Sequence, residues 1–84
     1  MINDNERFRF IANDIDVSNM YDKLTSNAKE MIAQMEQADR ENNFPVYVQV
    51  SDDFEVYTKL LAYDEVLTDN EWHLLCAKYS IPID

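Results

Sequence analysis

The sequence predicts an α+β fold, predominantly helical, built as a single domain over residues 1–84. Three observations carry that reading. Glycine is absent from all 84 residues, which disfavours the tight two-residue hairpins of sheet proteins and suits helices joined by Asn, Asp and Ser corners. Apolar residues recur at steps of three and four from Tyr21 to Ala38, the period of a helix face. The run Val46-Tyr47-Val48-Gln49-Val50 is β-branched and alternating, as a half-buried strand is.

The first element is predicted over 7–12, where Arg7-Phe8-Arg9-Phe10 alternates charged and aromatic side chains in the manner of a strand. Phe8, Ile11 and Ile15 also stand at helical spacing, with Asn3 and Glu6 placed to cap; the alternation favours the extended form. One long helix is predicted over 17–41. Asp16 is placed to cap it, and Ile15 with Met20 to staple its first turn. Its apolar positions, Tyr21, Leu24, Ala28, Met31, Met35 and Ala38, form a heptad seam, and Glu36 with Arg40 makes an i,i+4 pair in the favourable order. Asn42, Asn43 and Pro45 end it.

The second strand is predicted over 46–50. A shorter helix follows over 52–64, with Ser51 or Asp52 as cap, Glu55 at capping-box spacing from Asp52, and Phe54, Tyr57, Leu60 and Leu61 as apolar positions. The last helix is predicted over 69–79. Thr68 and Glu71 have the spacing of a capping box, Leu67 and Trp72 that of a staple, and Trp72, Leu75, Cys76 and Tyr79 share a face. Two strands joined by the long helix would pair in parallel through a right-handed crossover, and so small a sheet needs helices or a second copy to cover it.

Composition excludes several functions. Without glycine there is no Walker-type phosphate loop, no dinucleotide fingerprint and no Gly-x-Ser-x-Gly elbow. One cysteine makes no intramolecular disulfide and no multi-cysteine zinc site. No apolar run approaches a membrane span, and the first residues lack the basic flank and apolar core of a secretory signal. The expectation is a cytoplasmic protein, not an enzyme, with no cofactor and no metal.

Single residues do not overturn that expectation. His73 has Asp69 at i−4 but no nucleophile to serve, so a surface ion pair accounts for it. Cys76 falls late in its helix on the apolar side, away from the cationic or N-terminal settings that activate thiols, and reads as a small hydrophobe. The carboxylate pairs lack an EF-hand order with its central glycine, and acids at helix starts are favoured by the macrodipole.

Charge is the informative property. Seventeen acids against seven bases give a net charge of −10. Between Asp52 and Glu71 the acids Asp52, Asp53, Glu55, Asp64, Glu65, Asp69 and Glu71 face only Lys59. Such a field repels nucleic acid and anionic membrane and attracts basic surfaces. Rows of carboxylates on a helix stand about 5–6 Å apart, close to the phosphate spacing of a nucleic-acid strand. Tyr47, Tyr57, Tyr63 and Trp72 are candidate aromatic anchors at the edge of the row.

The expected function is therefore that of a small acidic binding protein. It would occupy the basic, nucleic-acid-binding surface of a larger protein as an inhibitor or modulator, through those seven acids, without touching nucleic acid or membrane itself. In composition the chain resembles small acidic inhibitors encoded by phage and mobile elements; that likeness implies a host nuclease, polymerase or immunity complex as target. The alternative is a structural or accessory subunit that forms a homodimer, or docks, through the seam of Tyr21, Leu24, Ala28, Met31, Met35 and Ala38. The same seam also serves to pack inside the monomer.

Overall fold

Asn43 and Pro45 decide where the longest helix begins. The Asn43 side chain accepts a hydrogen bond from the Val46 amide at 3.4 Å, and Pro45 stands in the first turn, where its missing N–H costs nothing. The computed structural model describes residues 10–12 and 14–79. Over these the elements are α1 (Ser18–Tyr21), α2 (Ser26–Arg40), α3 (Phe44–Tyr63) and α4 (Asp69–Tyr79). Among the described residues there is no strand.

The expected α+β class is thus corrected to an all-helical one. Residues 46–50 are not a strand but the opening turns of α3. Alternation over five residues is a short signal, and β-propensity yields to context. The longer register is helical: Tyr47, Ser51, Phe54, Thr58 and Leu61 are the buried residues of α3, at steps of four, three, four and three. The helix expected over 52–64 therefore starts at Phe44, while its end at Tyr63 agrees within a residue. Ser51 and Asp52 are interior residues rather than caps. Of the strand expected over 7–12, residues 7–9 lie outside the described residues. Phe10–Ala12 run without a strand partner, tied by Phe10 N–H to Asp39 Oδ1 at 2.7 Å and by Ala12 N–H to the Lys78 carbonyl at 2.9 Å.

The long helix expected over 17–41 is interrupted. Thr25 is extended, at φ −70° and ψ 166°, and its hydroxyl accepts from the Ala28 amide, so α2 has its own N-cap. The single turn α1 precedes it, and the Asp16 carboxylate accepts from the Ser18 amide at 2.9 Å. α4 spans the residues expected of it. Its capping box is complete: Thr68 N–H donates to Glu71 Oε1 at 2.9 Å and Glu71 N–H to Thr68 Oγ1 at 3.1 Å.

Two corners turn the chain without glycine. After α2, Asn42 takes φ 55°, Asn43 N–H reaches the Ala38 carbonyl at 2.8 Å and Asn42 N–H the Asp39 carbonyl at 3.3 Å. After α3, Glu65 takes φ 64°, Val66 N–H reaches the Leu61 carbonyl at 2.9 Å and Glu65 N–H the Ala62 carbonyl at 3.1 Å. Both are Schellman caps, with Asn and Glu in the left-handed position that glycine normally fills.

The short corner at 41–43 folds α2 back against α3 as a helical hairpin, the most extensive contact of the fold. Thr25 at the start of α2 shares a 2.7 Å hydrogen bond with Tyr57 near the end of α3. α4 then returns along α3. The core joins Ala28, Ile32, Met35 and Ala38 of α2 to Tyr47, Phe54 and Leu61 of α3 and Leu75 and Tyr79 of α4. Phe10 packs across the ends of the bundle, 5.5 Å from the Phe44 ring and 4.9 Å from Tyr47. Lys78 Nζ donates to the carbonyls of Ala12 at 3.0 Å and Ile15 at 2.8 Å.

Candidate acidic binding surface

α3 is covered by α2 on one flank and α4 on another, which leaves its outer face to solvent. Residues along a helix advance by about 100° each, so Val56 lies opposite the buried Tyr47. Val56, Leu60 and Tyr63 fall on that outer face and are 63%, 55% and 76% exposed. Asp52 and Asp53 precede Val56 by one turn, and both are exposed. Glu55 is exposed on the side of α3 that meets α4, where its backbone carbonyl accepts from Trp72 Nε1 at 3.4 Å.

The remaining acids gather at the α3–α4 corner. Asp64 and Glu65 belong to the Schellman cap and are exposed, as is Asp69 at the start of α4. Behind them lies a cleft of about 700 Å³ whose walls include Ala62, Tyr63, Leu67 and Trp72, with Glu65 and Asp69 on its rim and Lys59 beside it. Six of the seven expected acids are therefore exposed and lack an ion pair among the described residues.

Glu71 is the exception. Its carboxylate takes Lys23 Nζ at 2.8 and 2.9 Å as well as the Thr68 amide. Those hydrogen bonds, Lys23 first, hold its pKa below the ordinary carboxylate value. It works in the fold rather than on the surface.

The macrodipole accounts for fewer of these acids than expected. Asp69 and Glu71 do stand in the first turn of α4. Asp52 and Asp53 instead occupy the middle of a 20-residue helix, too far from its positive end to gain from it. They make no side-chain hydrogen bond among the described residues.

Of the four aromatic candidates, Tyr63 is exposed and Trp72 half-buried at the cleft. Tyr47 is fully buried, and Tyr57 is half-buried against Thr25. Neither of these two faces a partner. Sequence reasoning missed Val56 and Leu60 as surface residues: Leu60 counts there only as an apolar position of a helix begun at Asp52, and Val56 is not singled out. The period running back to Tyr47 would have placed both outside.

The seam residues are mostly interior. Leu24, Ala28, Met35 and Ala38 are buried in the chain's own core, Met31 packs at its edge, and Tyr21 is 39% exposed. Tyr21 lies under Lys29, whose Nζ is 5.1 Å from the ring centroid.

The chemistry-bearing singletons stay separate. His73 is exposed, its ring 5.1 Å from that of Trp72, and makes no ion pair with Asp69. Cys76 is half-buried, and burial followed by the Glu55 charge pushes its thiol up to about 11, away from the reactive range. Among the described residues no three potential metal ligands cluster, and no helix is long and apolar enough to cross a membrane. The arrangement is a set of fixed anions beside apolar side chains, suited to binding. Comparison with protein-family models, curated proteins and solved structures finds no match.

Proposed function

We propose that this chain acts by occupancy. Its acidic surface covers a basic surface of a larger protein, of the kind that binds nucleic acid, and so inhibits or tunes it. The observation that carries this reading is the set of six exposed carboxylates, Asp52, Asp53, Glu55, Asp64, Glu65 and Asp69, without an ion pair among the described residues, along α3 and its corner with α4. Asp52 and Asp53 weigh most, since neither caps a helix nor makes an ion pair among the described residues.

The mechanism is electrostatic complementarity. A one-signed surface speeds encounter with a cationic partner and is screened by salt. The partner's phosphate-binding residues would meet carboxylates in place of phosphates, and nucleic acid would compete for the same residues.

The test is capture of partners on the immobilised chain at low and high ionic strength, with duplex DNA as competitor. Basic proteins that elute with salt or DNA, and that are not retained by the Asp52→Asn, Asp53→Asn, Asp64→Asn variant, support the proposal. Partners that are not basic, or that stay bound unchanged at high salt, overturn it.

A further inference from the structure

The outer face of α3 carries a feature that charge does not explain. Val56, Leu60 and Tyr63 stand at i, i+4 and i+7, all more than half exposed. They make a straight apolar ridge about 10 Å long at 1.5 Å per residue. Single exposed hydrophobes are ordinary; three in one helical row beside an apolar cleft mark an interaction surface. The cleft walled by Tyr63, Ala62, Leu67 and Trp72 continues the ridge around the corner into α4.

We infer that this ridge is the seat of a basic amphipathic helix from the partner, laid along α3 as a further helix of the bundle. Charge selects that occupant. Asp52 and Asp53 bound the ridge at one end and Asp64 and Glu65 at the other, with Lys59 the only cation between them. A second copy of this chain would bring the same carboxylates face to face, at a net charge of −10 per copy. A helix with apolar residues on one side and Lys or Arg on its borders matches both the ridge and its acidic ends. The i,i+4 row is the ridge that packs into the groove of a neighbouring helix. In the cleft an Arg stem would lie against Trp72 with its head toward Glu65 and Asp69, as long cationic side chains bury their stems and keep their charge wet.

This inference rests on the acidic reading above and adds a salt-resistant apolar part to it. It is tested with two synthetic peptides of identical leucine and lysine content, one ordered as an amphipathic helix and one scrambled, titrated against the isotope-labelled full chain. The amphipathic peptide should bind more tightly and move the amide signals of Val56, Leu60, Tyr63 and Trp72. Leu60→Gln should weaken it about tenfold, the loss expected for one buried leucine contact. That substitution keeps a good helix former at an exposed site, and circular dichroism checks the fold.

Equal, salt-sensitive binding of both peptides, unmoved by Leu60→Gln, would overturn the ridge and leave the acidic reading standing. Amphipathic-specific binding that ignores salt would keep the ridge and sink the acidic reading. Binding of neither peptide counts against both.

Discussion

The Tyr47 hydroxyl donates a 2.6 Å hydrogen bond to the backbone carbonyl of Tyr79, tying the first turn of α3 to the last residue of α4. Ser51 donates to the same carbonyl at 3.2 Å. The end of a helix exposes carbonyls without partners, and here a buried one is satisfied by two side chains of a neighbouring helix. Tyr47→Phe should lower stability by about 1–2 kcal/mol, the usual cost of an unmade buried hydrogen bond. Ser51→Ala should cost less, and the double variant more than the sum, because only then is the carbonyl left bare. Urea midpoints check the order. Additive losses would mean that the two hydroxyls do not share one acceptor.

Alkaline pH should weaken the fold. Burial, then the charges of Glu36 and Tyr21, push Tyr79 from its ordinary 10.0 up to about 12. Burial, then Asp39, raises Tyr47 further still. An unfolded tyrosine ionises near its ordinary value while the folded one keeps its proton, so the unfolded chain binds fewer protons in that interval. Stability is therefore complete below pH 10 as far as these groups go, and falls as pH rises through about 12. Cys76 behaves alike between its ordinary 9.0 and about 11. The share of tyrosinate absorbance that belongs to the buried Tyr47 and Tyr79 should appear together with loss of helical dichroism. Ionisation of all tyrosines at pH 10 with the helices intact would contradict this.

Glu65 holds a left-handed conformation, φ 64°, that costs an ordinary residue roughly 1–2 kcal/mol. Glu65→Gly should raise stability by about 1 kcal/mol at most, part of the relief being offset by the greater freedom of the unfolded chain. Asn42→Gly should gain less, since Asn tolerates this region. A fall in the thermal midpoint of Glu65→Gly would show that the side chain itself contributes to the corner.

The Lys23–Glu71 pair, 2.8 Å apart, joins the turn after α1 to the start of α4. Glu71→Gln keeps an acceptor for the Thr68 amide and loses only the ion pair, whereas Glu71→Ala loses both. Stability should fall in that order, with Lys23→Met resembling Glu71→Gln. Because the Glu71 pKa is depressed in the fold, its contribution is present above the ordinary carboxylate value of 4.5 and lost as pH falls through its folded one. Lys23→Met should flatten that acid limb. An unchanged limb would place the loss of acid stability at other carboxylates.

What could be read from the chain was whatever its signals encode locally. The start of α4 follows from Thr68 and Glu71, three residues apart. The end of α2 lies close to its expected place because Asn42, Asn43 and Pro45 leave few choices there. The opening of α3 was misread because five alternating residues outweighed the register of Tyr47, Phe54 and Leu61. A heptad seam assigned Met31, whereas Ile32 is the buried residue; a straight helix turns every 3.6 residues, and its inner face drifts from a strict seven-residue repeat. The bonds from Lys78 to Ala12 and Ile15, and from Tyr47 to Tyr79, cross more than thirty positions and leave no trace in any window. For the binding surface, the acids were legible as composition. The apolar ridge beside them emerged only once α3 had its true starting point.

The clasp between Lys78 and Ala12 spans 66 positions, while the α2–α3 hairpin closes over three. Loop-closure entropy grows with the length of chain enclosed, so the hairpin closes at a smaller entropic cost than the clasp. The contacts of Phe10, Ala12 and Ile15 with Asp39 and Lys78 lie outside the α2–α3 pairing, so losing them would leave that pairing, and the surface on α3, in place.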